Sequence, residues 1–146
     1  MKCKTHSFVI FLPVILMSMS STNLSAQTAN EIANSHLISP GELVQILQTK
    51  KEKPLLIHMG SHVLYPQAHI PRSEYIGPGF NESGLQQLRK RVASLPRSKP
   101  IITYCGCCPW NHCPNLKPAD DTLVGMGFTN VKVLYNSKRL WCRLGR

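Results

Sequence analysis

The chain has 146 residues, a length that fits one ordinary domain, and carries a formal net charge of +10 from 17 lysine and arginine residues against 7 aspartate and glutamate residues. The basic residues are scattered, apart from clusters at residues 89–91 and 97–99. No nucleic-acid-binding motif accompanies the charge, so we expect no nucleic-acid partner. The clusters indicate either a face that attracts small anions or a solvated helix face.

The first stretch of the chain has the features of a secretion signal. Two lysines precede an apolar run at residues 8–19, which is too short to span a membrane because a span needs about 20 apolar residues. Cleavage after Ala26 predicts a signal peptide at residues 1–26, a polar lead-in at 27–36 and the folded domain at 37–146. The alternative is a retained anchor, with membrane contact only through this segment. We expect a periplasmic or secreted protein.

Helices and strands alternate in the predicted secondary structure. Ser39, Pro40 and Glu42 match an N-cap, a first helical position and a capping box, and apolar residues at helical spacing follow. The other predicted elements are strands at residues 54–59, 74–76, 101–105 and 130–134, a helix at 85–95, and a helix that opens at Pro118 with two acids in its first turn and ends at Gly127. This alternation predicts an α/β domain with a mostly parallel sheet.

The segment YCGCCPWNHCPN, residues 104–115, concentrates cysteines in one loop. Its cysteines are Cys105, Cys107, Cys108 and Cys113. In an exported protein these thiols can be oxidised. Because the predicted mature chain also contains Cys142, its number of cysteines is odd, and one thiol stays outside any intramolecular disulfide. That thiol is available for chemistry, for a metal or for a bond to another chain.

Cys105 ends a predicted strand and is the candidate nucleophile. The carboxyl edge of a parallel sheet is where open α/β sheets bind ligands, so we expect the Cys105 side chain to face solvent there. Gly106 permits a sharp turn beside it. His112 and the backbone N–H groups of Cys107 and Cys108 are candidates to lower the thiol pKa from its free value of about 8.5.

The predicted elements contain, in chain order, the segments ISPGELVQIL, KPLLIHM, AHIPRSEYI, KPIITYC and LVGMGFTNVKVL, followed by Trp141. In this order they resemble the rhodanese-like domain over about residues 37–141. The resemblance implies a three-layer domain whose central sheet is flanked by helices. It also implies sulfur transfer without a cofactor, in which a cysteine takes sulfane sulfur from a small donor anion such as thiosulfate, holds it as a persulfide and passes it to a thiol acceptor. By position that cysteine is Cys105. The substrate-binding residues are then Gly106, Cys107, Cys108, Trp110 and His112.

The loop and its surroundings differ from the family pattern. The early strand ends in His58-Met59-Gly60 where members carry an acidic residue and an arginine, and Asn136-Ser137-Lys138 replace a glycine pair. The active-site loop is longer, and its Pro109 and Pro114 have no N–H to donate. These differences indicate a family variant with a lengthened, cysteine-rich loop.

Other interpretations of the loop stay open. Cys105, Cys107, Cys108, His112 and Cys113 offer soft ligands for copper or zinc, although the paired C-x2-C spacing of a zinc ribbon is missing. A disulfide from Cys113 to Cys107 or Cys108 would leave Cys105 free, whereas a reversible Cys105 disulfide would make a thiol-redox module. A scaffold that only docks partners is the remaining alternative.

Several polar residues near the loop are expected to have structural roles. We expect His69 to fix the turn at AHIP through a hydrogen bond, and Asn111 and Asn115 to form turns. His58 and His62 follow the early strand and are expected near the same sheet edge, as satisfied loop histidines.

Overall fold

A computed structural model describes residues 31–135 of the chain. The predicted signal peptide, the segment Asn136-Ser137-Lys138, Trp141 and Cys142 lie outside the described residues. Within residues 31–135, no helix has both the length and the apolar character needed to cross a membrane.

The described residues form one five-stranded sheet with helices on both sides. The strands are β1 (Leu37–Ile38), β2 (Leu55–His58), β3 (Glu74–Tyr75), β4 (Ile101–Tyr104) and β5 (Val131–Leu134). The helices are α1 (Pro40–Thr49), α2 (Glu82–Val92) and α3 (Leu116–Gly125), with short 3-10 turns at Asn34–His36 and Trp110–His112. The strand order is β1-β5-β4-β2-β3 and every pairing is parallel.

Successive residues in the central strands point to opposite faces of the sheet, and each face carries its own helices. Leu56 and Ile102 pack with Leu43 of α1 on one face. On the other face, Ile57 and Ile101 pack with α2 and α3. Strands that are buried on both faces have nearly continuous apolar sequences, and β2 and β4 follow this pattern. The structure therefore confirms the predicted three-layer α/β fold.

The start of α1 follows the predicted capping box. The Ser39 N–H donates to the Glu42 carboxylate at 2.8 Å, and the Glu42 N–H donates to the Ser39 hydroxyl at 3.2 Å. Pro40 occupies the start of the helix, where a backbone N–H has no helical partner. A cap of this kind stabilises a helix by about 1 kcal/mol.

Helices α2 and α3 each begin and end at residues other than the predicted ones. Helix α3 begins at Leu116 rather than at Pro118, so its first turn holds no acidic residue. A proline is tolerated throughout the first turn because those N–H groups need no intrahelical acceptor, which is why Pro118 does not mark the exact start. Helix α2 ends at Val92, but Leu95 beyond it still packs against the core.

The basic cluster on α2 is largely paired with acidic side chains. Arg89 contacts Glu82 at 2.7 Å, and Arg91 forms two hydrogen bonds with Glu74 of β3 at 2.6 and 2.8 Å. The second pair ties an edge strand to a helix. Both pairs are partly exposed, as on a solvated helix face.

The segment before α1 contributes to the core despite its polar composition. Ile32 is only 4% exposed and packs with Cys105 and Val133. The His36 Nδ1 lies 2.9 Å from the carboxylate of Asp120 in α3, and burial raises the pKa of Asp120 although His36 opposes that shift. The two residues of β1, which the sequence pattern did not reveal, pair with β5 and place this segment beside the cysteine loop.

Candidate functional site

The turn after β4 brings the cysteine loop to the carboxyl edge of the sheet. Cys105 follows the last residue of β4 directly, and Gly106 has a φ of +80°. That conformation is strained for residues with a Cβ, and a Cβ at Gly106 would meet no atom within 4 Å. Glycine is therefore required here for its backbone conformation rather than for space.

Four thiols lie together at this edge and are here called the thiol cluster: Cys105, Cys107, Cys108 and Cys113. Their Sγ atoms all lie within 4.8 Å of one another. The Cys105 and Cys107 sulfurs are 2.9 Å apart, and those of Cys107 and Cys108 are 3.2 Å apart. All four are free thiols, so the predicted Cys113 disulfide is not formed among the described residues.

Burial differs across the thiol cluster and corrects one expectation. Cys105 is 2% exposed and Cys113 6%, whereas Cys107 and Cys108 are half-buried. The prediction that Cys105 faces solvent is therefore wrong, because the loop folds its own thiols and Ile32 over the strand end. The half-buried Cys107 and Cys108 pack against the same apolar cluster as Cys105.

The neighbours of Cys105 are held in the protonated form. Burial raises the pKa of the Cys107 thiol to about 11 and also raises the pKa of Cys108. The pKa of Cys113 is raised first by its hydrogen bond with Cys105 and then by burial. At neutral pH these thiols therefore keep S–H groups that can donate to a charged sulfur beside them.

Asn115 supplies the amide that contacts the buried sulfurs. Its Nδ2 donates to the Sγ of Cys105 at 3.4 Å and to that of Cys113 at 3.8 Å. The Phe80 N–H donates to Oδ1 at 3.2 Å, which fixes the orientation of the amide. Gly79 permits this contact, because a Cβ there would lie 2.2 Å from the Asn115 carbonyl oxygen.

The sequence pattern indicated only a turn-forming role for Asn115. The available signal was its position directly after a cysteine and a proline in a loop that offers few backbone donors. Asn115 is 5% exposed and precedes α3 without capping it. Its side-chain amide is therefore available to donate hydrogen bonds to the sulfurs of the thiol cluster.

The other predicted loop residues divide into two groups. Trp110 is partly buried and packs against the same apolar cluster as Cys105, so it helps to cover the site. His112 is exposed, and its Nδ1 lies 2.9 Å from the Asn111 side-chain oxygen. The set of ligand atoms that the structure brings together is therefore made of four thiols and does not include His112.

A second group of side chains, here called the histidine–tyrosine group, lies at the end of β2: His58, Tyr65, Tyr75 and Tyr104. The His58 ring is 5.3, 5.9 and 5.0 Å from the three tyrosine rings, in that order. His58 is 2% exposed and its Nδ1 has no hydrogen-bond partner, which departs from the expected satisfied histidine. Burial lowers the pKa of His58, so the ring is neutral at pH 7.

Oriented hydrogen bonds hold the histidine–tyrosine group in place. The Tyr104 hydroxyl lies 2.6 Å from the Ser73 hydroxyl and accepts from the Ile70 N–H at 3.1 Å. The Tyr65 hydroxyl donates to the Ser73 carbonyl oxygen. His69 contacts the Tyr65 carbonyl oxygen through Nδ1 at 2.8 Å, in agreement with its predicted structural role.

Gly60 separates the histidine–tyrosine group from the thiol cluster. A Cβ at Gly60 would lie 2.8 Å from the His58 ring and 3.0 Å from the Cys105 sulfur. The backbone after β2 thus packs directly on Cys105. The two groups share one sheet edge but do not merge.

The chain matches the rhodanese-like domain family over residues 39–144. It belongs to this family. Among solved structures, a Bacillus halodurans protein is 24% identical with a TM-score of 0.56, and the match covers 75% of this chain and 73% of that one. A rhodanese-like domain from Anabaena sp. is 20% identical with a TM-score of 0.44, covering 63% of this chain and 93% of its own. No curated protein matches the chain.

The part of this rhodanese-like chain that matches the family contains the loop that holds the thiol cluster. The matched region includes the end of β4, the whole thiol cluster and α3. A family of the sulfurtransferase type and a cluster of four cysteines are therefore both present. The lengthened loop predicted from the sequence is the segment that gathers the four thiols.

Proposed function

We propose that this protein is a sulfurtransferase or sulfane-sulfur carrier that forms a persulfide on Cys105. The observation that carries the proposal is the position of the Cys105 sulfur directly after β4, with the oriented Asn115 amide donating to it at 3.4 Å. The Cys105 thiolate attacks the outer sulfur of thiosulfate, a sulfur–sulfur bond forms, and sulfite leaves with the electron pair of the broken bond.

The thiol cluster favours negative charge on a sulfur bound to Cys105. Asn115 contributes an N–H donor, and the protonated thiols of Cys107 and Cys113 contribute S–H donors. Donors fixed before the reaction stabilise a developing anion without reorganisation at the moment of transfer. This arrangement replaces the short loop of backbone N–H groups that the family resemblance implies.

The burial of Cys105 restricts the substrates. A sulfur that is 2% exposed is reached by a small anion or a small thiol once Cys107 moves, and not by the surface of a large folded acceptor. We therefore infer that the donor is a small anion such as thiosulfate or polysulfide, and that the acceptor is a small thiol.

Intact-mass measurement tests the proposal. Incubation with thiosulfate or polysulfide should add about 32 Da, one sulfur atom, which cyanide or dithiothreitol then removes. Cys105→Ser should abolish this gain. Cys108→Ser is the matched control, because it removes a neighbouring thiol of the same loop and should still load. Loading of Cys105→Ser to the wild-type level would exclude Cys105 as the carrier.

A second candidate function is the binding of a soft metal ion, copper(I) or zinc. It is favoured by the four Sγ atoms within 4.8 Å of one another, two of them buried. Thiolates are the ligands that these ions prefer, and a set of four cysteines suits a closed structural site.

Metal titration of the reduced protein separates the two candidates. Cys113→Ser should weaken copper(I) or zinc binding by at least about tenfold, as expected for a lost ligand, and should leave sulfur loading on Cys105. His112→Ala is the control, since His112 lies outside the thiol set. A reduced protein that takes up neither ion excludes this second function.

We also propose that the protein is exported and that residues 1–26 are removed. The support is the basic start, the apolar run and the cleavage pattern before residue 27. The intact mass of protein recovered from the periplasm or the medium should correspond to a chain that begins at Gln27. Recovery of the full-length chain from the cytosol would contradict export.

A further inference from the structure

Cys105 and Cys107 form the shorter of the two thiol–thiol hydrogen bonds that involve Cys107. Their sulfurs are 2.9 Å apart, closer than the 3.2 Å between Cys107 and Cys108. A persulfide on Cys105 would therefore be formed in contact with a second thiol of the same loop. Because a thiol beside a sulfur–sulfur bond can exchange with it, this contact has chemical consequences.

We propose that Cys107 is a resolving thiol, which displaces hydrosulfide from the Cys105 persulfide and forms a Cys105–Cys107 disulfide. The proposal rests on the proposed function, since it begins from the Cys105 persulfide. The Cys107 S–H first gives its proton to the charged outer sulfur of the persulfide, and the resulting Cys107 thiolate bonds to the inner sulfur. The bond to the outer sulfur breaks, and the outer sulfur leaves as hydrosulfide with the bonding electron pair and the Cys107 proton.

The loop geometry selects Cys107 over the other thiols. Gly106, at a φ of +80°, turns the chain between the two cysteines and brings their sulfurs together. Cys113 is buried, and its sulfur is held by the Asn115 amide at 3.8 Å. Cys107 is half-buried, so a disulfide that includes it stays within reach of a reductant.

The resolving step defines the product and the co-substrate. The product is hydrosulfide, and the protein is left with a disulfide that must be reduced before another turnover. The reductant is a dithiol, which gives two electrons and two protons to restore Cys105 and Cys107 and is itself converted to a disulfide. The net reaction reduces the sulfane sulfur of the donor at the expense of that dithiol.

A single-turnover experiment tests the resolving thiol. The reduced full-length protein is loaded with thiosulfate, freed of donor and followed without reductant by intact mass and by a sulfide assay. In the wild-type protein the gain of about 32 Da should be replaced by a loss of about 2 Da, the mass of two hydrogens, as sulfide is released. Peptide mapping should assign the disulfide to Cys105 and Cys107.

Two variants make the comparison specific. Cys107→Ser should keep the added sulfur and release sulfide at least about tenfold more slowly, because the attacking thiol is missing. Asn111→Ala, which changes an exposed residue of the same loop and keeps all four thiols, is the control and should behave as the wild type. Release from Cys107→Ser at the wild-type rate, or a disulfide mapped to another pair, would overturn the role of Cys107.

Gly106→Ala provides a test that keeps every thiol. The space around Gly106 is open, so the substitution acts only through the strained φ. Relative to its own rate of sulfur loading, it should form the disulfide roughly tenfold more slowly, which corresponds to the cost of a left-handed conformation for a residue with a Cβ. Unchanged disulfide formation would contradict the proposed function of this turn.

The same measurements distinguish this inference from the proposed function. If neither the wild type nor Cys107→Ser ever gains a sulfur atom, the persulfide itself is wrong. If the wild type gains sulfur and keeps it indefinitely without a disulfide, the persulfide is right and the resolving role of Cys107 is wrong.

Discussion

The thiol cluster and the histidine–tyrosine group lie at the ends of neighbouring strands, yet they are held by different kinds of contact. In the histidine–tyrosine group, the Tyr104 hydroxyl has partners at 2.6 and 3.1 Å. In the thiol cluster, the Asn115 amide donates to two sulfurs at 3.4 and 3.8 Å, and thiol–thiol hydrogen bonds join Cys107 to Cys105 and Cys108. Both groups are largely buried and both pack against Gly60 or its neighbours.

Because of this difference, the histidine–tyrosine group is a rigid support, whereas the thiol cluster is the reactive group. Oxygen and nitrogen form short, oriented hydrogen bonds, whereas sulfur is a weak donor and acceptor with longer contacts. The thiols can therefore change partners while the sheet edge beneath them keeps its shape. Substitutions should affect chemistry on the thiol side and stability on the tyrosine side.

The largest effect is expected from loss of the Asn115 amide. Asn115→Ala removes the N–H that faces Cys105 and should slow sulfur loading about a hundredfold, as for loss of one oriented donor at an anion site. Asn115→Asp keeps an acceptor for the Phe80 N–H but places a carboxylate against the sulfurs, so it should be at least as slow. The initial rate of sulfur loading, followed as the gain in intact mass, measures the effect of each substitution. Equal rates for Asn115→Asp and the wild type would show that the donor is unimportant.

A smaller effect, confined to stability, is expected from Tyr104→Phe. This substitution leaves the Ser73 hydroxyl and the Ile70 N–H without their partner and should lower the free energy of unfolding by about 1–3 kcal/mol. Sulfur loading should be unchanged. Urea denaturation measures the loss, with Tyr75→Phe as control, because the Tyr75 hydroxyl makes no hydrogen bond within residues 31–135. Slower sulfur loading in Tyr104→Phe would show that the histidine–tyrosine group also affects the chemistry of the thiol cluster.

The smallest effect is expected from the ion pair that ties β3 to α2. Hydrogen bonds from Arg91 lower the pKa of Glu74 below its ordinary value of 4.5. The stabilisation is therefore present above pH 4.5 and is lost as the pH falls through the lower folded-state pKa. Glu74→Gln should cost about 0.2–1 kcal/mol at pH 7, because the pair is partly exposed.

Unfolding midpoints of Glu74→Gln and the wild type, compared between pH 7 and pH 3, measure this effect. The difference between the two curves should shrink as the pH falls through the lowered pKa of Glu74 in the folded protein. A constant difference across the range would show that the ion pair is not its source.

Most of the fold could be predicted because its signals are local. The capping box at Ser39 and the buried runs that became β2 and β4 are set by neighbouring residues in the chain. The structure also shows long-range contacts, which local sequence patterns cannot indicate. Strand β1 has two residues and exists only by pairing with β5, and the polar composition around Ile32 gives no sign that this side chain is buried.

The site was predictable in its residue types but not in its arrangement. The loop and the position of Cys105 follow from a strand that ends in a cysteine. The burial of Cys105 and the role of Asn115 depend on how the loop folds back between α3 and the segment at Gly79. A histidine also looks like a better ligand than an asparagine, yet His112 is exposed and Asn115 contacts the sulfurs.

The pairing of β1 with β5 determines when the reactive sulfurs become enclosed. Leu37 is paired with Val133, so almost the whole described chain must be synthesised before this contact can form. Until then Ile32 has no partner strand to hold it in place, and the four thiols are accessible to oxidants and to thiol-exchange enzymes. Long-range closure of this kind is slow. The four thiols are therefore more accessible to oxidants during biogenesis, between emergence of the loop and completion of the last strand, than they are in the folded protein.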